Sequence, residues 1–389
     1  MLFTFDLETS VDCKEDGRMS ATPHFGENKI VLAGWKAGDF PAIIPNEDIV
    51  SSLIDSMEAH LSMRKVLVLC GFNIGFDLAY LLREKKFLKL LKDYSHKIRV
   101  WDVQQAEYLI SGQQWKYPSL DDACRRYGLP TKPDKIKEYW KAGMRTEDIE
   151  REELITYLFH DINVTEILAR RQAKDMPQRL KELCFMKGDD ILCTTIMENV
   201  GMHFDMNKCA EISHELRVDL MKVEQNLVDL VRSESGYEFF ASTKLKDVQT
   251  VLYGGMFVWD TREQDGVYKT GIKKGQPRMK KVEKSINFDG ILSPKTRKEA
   301  KERFGTAVSD SVLKWIIENE HPENWAVGQF IGYLQNFREW HKDLTTYYDG
   351  YGKLVWADGR IRPGFQHCST STGRLSCTQP NLQNVSKGE

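Results

Sequence analysis

Nowhere in the 389 residues does an apolar run approach the about 18 that a membrane-spanning helix needs, and the N-terminus, MLFTFDLETS, has no basic leader ahead of a cleavable apolar stretch. The expectation is a cytosolic protein. Cysteine patterning is also missing. Cys13, Cys70, Cys124, Cys184, Cys193, Cys209, Cys368 and Cys377 form no CxxC pair and no Cys/His quartet, which argues against a structural zinc site or a disulfide framework and for incidental thiols in a reducing compartment. A surplus of either charge sign is missing as well, with Lys and Arg at 55 against Asp and Glu at 57. A net charge of −2 removes any whole-protein attraction to a polyanion, so a nucleic-acid contact has to come from a local basic surface. There is no internal repeat and no low-complexity tract.

Hydrophobic residues at 41% and charged residues at 29% are ordinary for a folded chain, and the length predicts two or three domains. The first 110 residues alternate strand and helix patterns. Leu2 to Leu7, Ile30 to Trp35, Ala42 to Ile44, Val66 to Cys70 and Ile98 to Val103 read as strands, and Asp48 to Met63 and Asp77 to Leu91 as helices. From Ser119 to Arg171 the pattern is mostly helical, with Leu154, Leu158 and Ile162 at spacing four making one apolar face. A charged stretch ahead of Pro177 places a domain boundary near residue 172, giving domains of 1–172 and 173–389. Beyond it the chain is mainly helical to about Tyr253 and again from Ser309 to Asp349. Between lies REQDGVYKTGIKKGQPRMKK, whose glycines and lysines predict a mobile basic loop, either merely solvated or in contact with a phosphate backbone.

Three short elements carry chemistry. Asp6 and Glu8 stand two apart in the apolar strand FDLET, so both carboxylates leave one face of a sheet. Two like charges near 4 Å repel by about 4 kcal/mol at an effective dielectric of 20, a cost that a divalent cation removes. In GFNIGFDLAYLL, Asn73 occupies a Gly-flanked loop and Asp77 opens a helix; standing alone, Asp77 reads better as a helix cap than as a site residue. In YLFHD, Tyr157 and Asp161 lie one helical turn apart on one face. Asp102, in VWDV, reads as a helix cap and stays outside the set.

In this order, DxE, Asn-x3-Asp and Tyr-x3-Asp resemble the three exonuclease motifs of the DEDD nuclease superfamily. The tyrosine class is implied, because the alternative motif has a histidine five residues before the aspartate and that position is Thr156; His160 is a bystander. The resemblance implies an RNase H-like (DnaQ-like) α/β fold with a mixed sheet and a 3′-to-5′ exonuclease using two Mg²⁺ ions, with Mn²⁺ able to substitute. By the same resemblance Asp6 bridges both ions, Glu8 and Asp161 complete the first site, Asp77 supports the second, and Tyr157 orients the attacking water. Thr9 and Asn73 are candidates for holding the terminal nucleotides.

Downstream, MENVGMHFD at 197–205, FFASTKLKDVQTVLYGG at 239–255 and FQHCSTSTGRLSCTQPNLQNVS at 365–386 resemble family A DNA polymerases, from the start of the polymerase region and the thumb to the first part of the palm. That resemblance implies a mainly α, incomplete polymerase region in which Arg374, Gln383 and Asn384 contact the primer–template minor groove. Arginine and amide donors suit the acceptors that every base pair presents there. After Asn384 the sequence runs five more residues, short of the palm aspartates and fingers, and nothing like a 5′ nuclease domain precedes Asp6. The expectation is therefore a proofreading part of a split or truncated, phage-like family A polymerase. Its expected partners are DNA and a C-terminal polypeptide carrying the rest of the palm and the fingers. Two other readings are a free-standing DNA- or RNA-trimming exonuclease and a non-catalytic DNA-holding assembly subunit.

Overall fold

The structure is a computed structural model and describes residues 1–13, 19–25, 28–63, 66–131 and 135–385. The chain is helix-rich mixed α/β and divides into two compact units, one of residues 1–204 with Leu354 onward, the other Asp205–Lys353. Among the described residues no helix is long and apolar enough to cross a membrane.

The first unit is built on a four-stranded mixed sheet. Strand β1 (Leu2–Thr9) runs antiparallel to β2 (Ile30–Ala37) on one side and parallel to β3 (Leu67–Gly71) on the other, and β3 pairs in parallel with β4 (Ile98–Asp102). Ala42 to Ile44, expected as a strand, contributes only a bridge from Ile43 to Trp35. Strand alternation sends Phe3, Phe5 and Leu7 of β1 to one face, where they meet Leu53, Ile54, Met57 and Leu61 of α1 (Ile49–Met63), together with Leu78 of α2 (Gly75–Leu81) and Phe87 of α3 (Lys85–Tyr94). The helix expected over Asp77 to Leu91 is thus two, α2 and α3.

Asp6 and Glu8 leave by the opposite face, which a second layer covers: α4 (Val103–Ile110), α5 (Leu120–Arg126), the short α6 (Lys135–Lys141) and the long α7 (Arg151–Asp175). Leu158 and Ile162 of α7 pack on Leu32 of β2. The apolar face read from spacing four is the buried one.

Helix α8 (Gln178–Val200) follows α7 after Pro177 and lies on β4. Gly188 permits the approach, since a Cβ there would sit 2.1 Å from the Val100 carbonyl oxygen. The packing boundary consequently falls at Asp205, not near 172, and residues 354–385 return to the sheet-containing unit rather than joining 205–353.

The second unit is centred on α9 (Met206–Ser235), whose first turn is capped by Asp205 Oδ1 accepting from the Asn207 and Lys208 amides at 3.0 and 2.9 Å. Gly236, at φ 73°, ends it in the left-handed conformation. Its core joins Leu227, Leu230 and Val231 to Val251 and Leu252 of α10 (Leu245–Tyr253), Leu313 of α12 (Asp310–Asn319) and Phe330 and Leu334 of α13 (Trp325–Asp343); α11 (Pro294–Phe304) adds Ala300. The segment expected as a mobile basic loop is instead a paired ribbon of β5 (Gly255–Val267) and β6 (Pro277–Phe288).

Candidate active site

The sheet places Asp6 opposite Gly34 and Glu8 opposite Leu32 across the β1–β2 pair. Between the two acids the Leu7 amide donates to Asp77 Oδ1 at 3.0 Å, so the first turn of α2 is tied to β1 at this point. Asp77 does not cap α2; Ile74 occupies that position, and Asp77 lies inside the first turn, 2% exposed. Burial pushes its carboxyl well above the usual carboxylate range. The nearby charges of Asp6 and Glu8 push the same way, against the Leu7 hydrogen bond. Three of the four predicted acids therefore feel one another directly.

The fourth comes from α7. Asp161 and Asp6 line one cavity of about 330 Å³, shared with Asn73, Gln104, Asp121 and Thr165. Gly34 permits α7 to come this close, because a Cβ on it would meet Ile162 Cδ1 at 2.7 Å and Leu158 Cδ2 at 3.2 Å. Ile162 and Leu158 adjoin Asp161 and Tyr157 in sequence. Tyr157 is buried and edge-on to Trp140, ring centroids 6.0 Å apart. Glu8, Asp77 and Tyr157 are buried and are not in the cavity wall.

Among the described residues no three Asp, Glu, His or Cys side chains stand together as a ready-made cation site. The donor set nonetheless fits a hard divalent cation: the carboxylates of Asp6 and Asp161 in the wall of a polar cavity, and a buried acid, Asp77, whose ionisation its neighbours oppose.

Asn73 holds a left-handed backbone at φ 56° and faces solvent. Its amide, with that of Ile74, points to the Asp102 carboxylate (3.4 and 2.9 Å), which also caps α4 through the Gln105 amide at 3.0 Å. The cap reading of Asp102 is what the geometry has. Thr9 is buried and hydrogen-bonded to the Tyr80 hydroxyl, outside the cavity wall. Spacing alone overlooked Asp121, Lys137 and Gln104 in that wall. Lys137 Nζ pairs with Asp121 Oδ2 at 3.0 Å, and the only sequence sign was the capping box from Ser119 to Asp122 that starts α5.

Arg374, Gln383 and Asn384 assemble elsewhere on the same unit. Strands β7 (Gly364–Gln366) and β8 (Ser376–Thr378) form a hairpin whose loop is held to α4 by the Tyr108 hydroxyl donating to the Thr370 carbonyl at 2.6 Å, and to α8 by a 2.8 Å contact of Thr194 Oγ1 with His367 Nε2. Gln383 Nε2 donates to the Leu375 carbonyl at 3.2 Å, which brings the amide beside Arg374; all three side chains are exposed. They do not line the cavity of Asp6 and Asp161. A larger cavity, about 590 Å³, lies among α2, α8 and residues 364–368 and shares Asn73 and Gln104 with the smaller one.

Comparison with known proteins finds DNA polymerase family A over residues 277–389. DNA polymerase I of Synechocystis is 25% identical over 293 residues, 74% of this chain and 24% of that protein. DNA polymerase I of Mycobacterium tuberculosis is 34% identical over 123 residues, 31% of this chain and 12% of that protein, and the Bacillus subtilis enzyme is 21% identical over 73% of this chain. The chain thus spans about a quarter or less of the length of these relatives. Among solved structures, the polymerase domain of Pol1 from M. smegmatis, in complex with DNA primer-template and dNTP, superposes with a TM-score of 0.55 at 17% identity, covering 92% of this chain and 50% of that one; the likeness is one of fold.

Proposed function

We propose that this relative of family A DNA polymerases is a 3′-to-5′ exonuclease that removes terminal nucleotides from DNA, a proofreading activity. The observation that carries the reading is the latch of Asp77 onto the Leu7 amide between Asp6 and Glu8, on the face of the sheet against which α7 brings Asp161. Two Mg²⁺ ions, when bound, would supply activation of the attacking water and charge neutralisation at the departing 3′ oxygen. Asp6 and Asp161 would hold these ions at the cavity, with Glu8 and Asp77 behind them. The Tyr157 hydroxyl, a donor and acceptor at neutral pH, orients the water for attack on the terminal phosphorus, and the P–O3′ bond breaks. Asn73, exposed in the cavity wall, steadies the last nucleotide, whereas Thr9 supports β1 from inside the protein.

Arg374, Gln383 and Asn384 serve the polymerase side of the relationship by donating to minor-groove acceptors of a primer–template, a contact that senses pairing geometry without reading sequence. Polymerisation draws on palm and fingers residues outside these 389, on the same or a complementing C-terminal polypeptide.

The test is release of mononucleotides from a 5′-labelled single strand with Mg²⁺ or Mn²⁺. Asp6→Ala combined with Glu8→Ala abolishes release while the thermal midpoint persists; unchanged release would sink the assignment. One observation favours a second reading, a DNA-holding module without cleavage: among the described residues no three of the acids stand together as a ready-made cation site. Primer–template binding with no cleavage under any divalent cation supports that alternative. A preference for RNA ends would favour a free-standing trimming enzyme.

A further inference from the structure

Apart from Asn73 and Gln104, the wall of the 590 Å³ cavity takes no part in the chemistry proposed above. The cavity lies wholly within the sheet-containing unit, and its volume falls inside the roughly 300–1,000 Å³ of small-molecule sites.

Its wall is polar without being cationic. Among the described residues no lysine or arginine lines it, whereas Asp102 and Glu198 do. Glu198 is half-buried, and burial pushes its carboxyl up against the hydrogen bond it accepts from the Phe365 amide. Burial, with the charge of Lys187 acting the same way, holds His367 down to about 4, so its imidazole is uncharged at neutral pH. A phosphate entering this space would meet two acids and no counter-charge. Nucleotides and a DNA backbone are therefore poor occupants.

What the wall does offer is flat apolar surface and amides. The rings of Phe76, Phe365 and Tyr117 line it beside the side chains of Gln104, Gln105 and Gln366. Two of the amides are held in place: Gln366 accepts from the Tyr117 hydroxyl, and Gln104 donates to the Pro118 carbonyl at 3.0 Å. Gln105 differs. It is 3% exposed, and its Oε1 has no hydrogen-bond partner. A buried amide oxygen left without a donor is destabilising, and an N–H group brought in by a ligand would relieve it.

We propose that this cavity binds an uncharged nucleoside, its base lying against the aromatic rings and donating an N–H to Gln105 Oε1. Ring stacking combined with hydrogen bonds to the base edge is the chemistry by which protein pockets hold single bases. Because Asn73 and Gln104 stand in both cavity walls, occupation slows the nucleotide release proposed above. That consequence rests on the exonuclease reading; the pocket does not.

The experiment titrates the full chain into 2-aminopurine deoxyriboside and follows the fluorescence quenching that stacking produces. EDTA is present, so that metal-assisted binding at the acids does not intervene. Saturable quenching is expected, displaced by deoxyadenosine and about tenfold or more less effectively by deoxyadenosine monophosphate. Gln105→Leu should weaken binding about 3- to 10-fold, the worth of one hydrogen bond, without lowering the thermal midpoint, since it removes an unpaired acceptor. Ala79→Leu fills the cavity from α2 while removing no polar group, and should abolish quenching. With Mg²⁺ restored, deoxyadenosine should slow release from a single strand by the wild type and not by Ala79→Leu. A wild type that releases nothing would count against the exonuclease reading and leave the binding result standing. No saturable quenching, a monophosphate that binds as well as the nucleoside, wild-type affinity in both variants, or release unaffected at saturating deoxyadenosine would each overturn the proposal.

Discussion

Gly34 is where the geometry of the proposed active site can be perturbed without touching an acid. It faces Asp6 across β1 and β2, and a Cβ added to it would lie 2.7 Å from Ile162 Cδ1, 3.0 Å from Ile44 Cγ1 and 3.2 Å from Leu158 Cδ2. All three neighbours are side-chain ends in a packed layer, so Gly34→Ala forces either rotamer strain or a lift of α7. Overpacking of this kind costs about 1–3 kcal/mol, offset in part by roughly 0.5–1 kcal/mol from removing a glycine from a strand interior. The net expectation is a loss of about 1–2 kcal/mol by urea unfolding. Because α7 carries Asp161 and Tyr157, a displacement of a fraction of an ångström should lower the rate of nucleotide release by about 10- to 100-fold and leave the KM for single strands nearly unchanged. Ile162→Val deletes the Cδ1 atom that the new methyl meets and costs about 0.5–1.5 kcal/mol alone. Combined, the two changes should couple favourably by at least about 1 kcal/mol and restore much of the rate. Additive stabilities, or a Gly34→Ala protein with wild-type rate, would refute the claim that this glycine seats the helix.

Further outcomes follow from the same packing. Asp77→Asn keeps an acceptor for the Leu7 amide and removes a charge that burial and its neighbours oppose, so it should raise the thermal midpoint at pH 7 while abolishing cleavage; each 1 kcal/mol gained is worth roughly 2–4 °C in a unit of this size. Burial pushes Asp102 up to about 6, so its stabilising contribution is complete below pH about 4 and is lost as pH rises through 6; by urea unfolding Asp102→Asn should lose about 3 kcal/mol less than wild type over that interval. Arg374→Ala should weaken primer–template binding by about 1–3 kcal/mol irrespective of base sequence and leave release from single strands unchanged, as a binding titration and a cleavage assay run side by side would show.

Much of the sheet-containing unit is legible in the sequence, because its signals are local. Alternation in LFTFDLET and the spacing of Leu154, Leu158 and Ile162 each follow from one element's own period, and Asp102 announced its cap by its place at a strand end. What was missed depends on partners distant in sequence. Gly34 and Gly188 look like ordinary interior glycines until α7 and α8 are laid against them. The boundary near 172 followed a charged stretch and a proline, whereas α8 continues the packing of the first unit to residue 204. The basic ribbon imitated a loop because its glycines and lysines are poor strand formers; its pairing is supported by the diagonal cross-strand ion pairs of Lys281 with Asp260 and Lys284 with Glu263, which no single-strand pattern contains. Asp121 and Lys137 entered the cavity wall through α5 and the short α6, where the capping box of α5 marks a helix start and nothing marks a site.

The most direct measurement is a count of divalent ions. Mn²⁺ titration followed by electron paramagnetic resonance, with a deoxynucleoside monophosphate present to occupy the product position, should give two ions per chain for the wild type and a loss of both in Asp6→Ala with Glu8→Ala. A wild-type protein that takes up no Mn²⁺, or a double variant that retains both ions, would contradict the assignment of these acids.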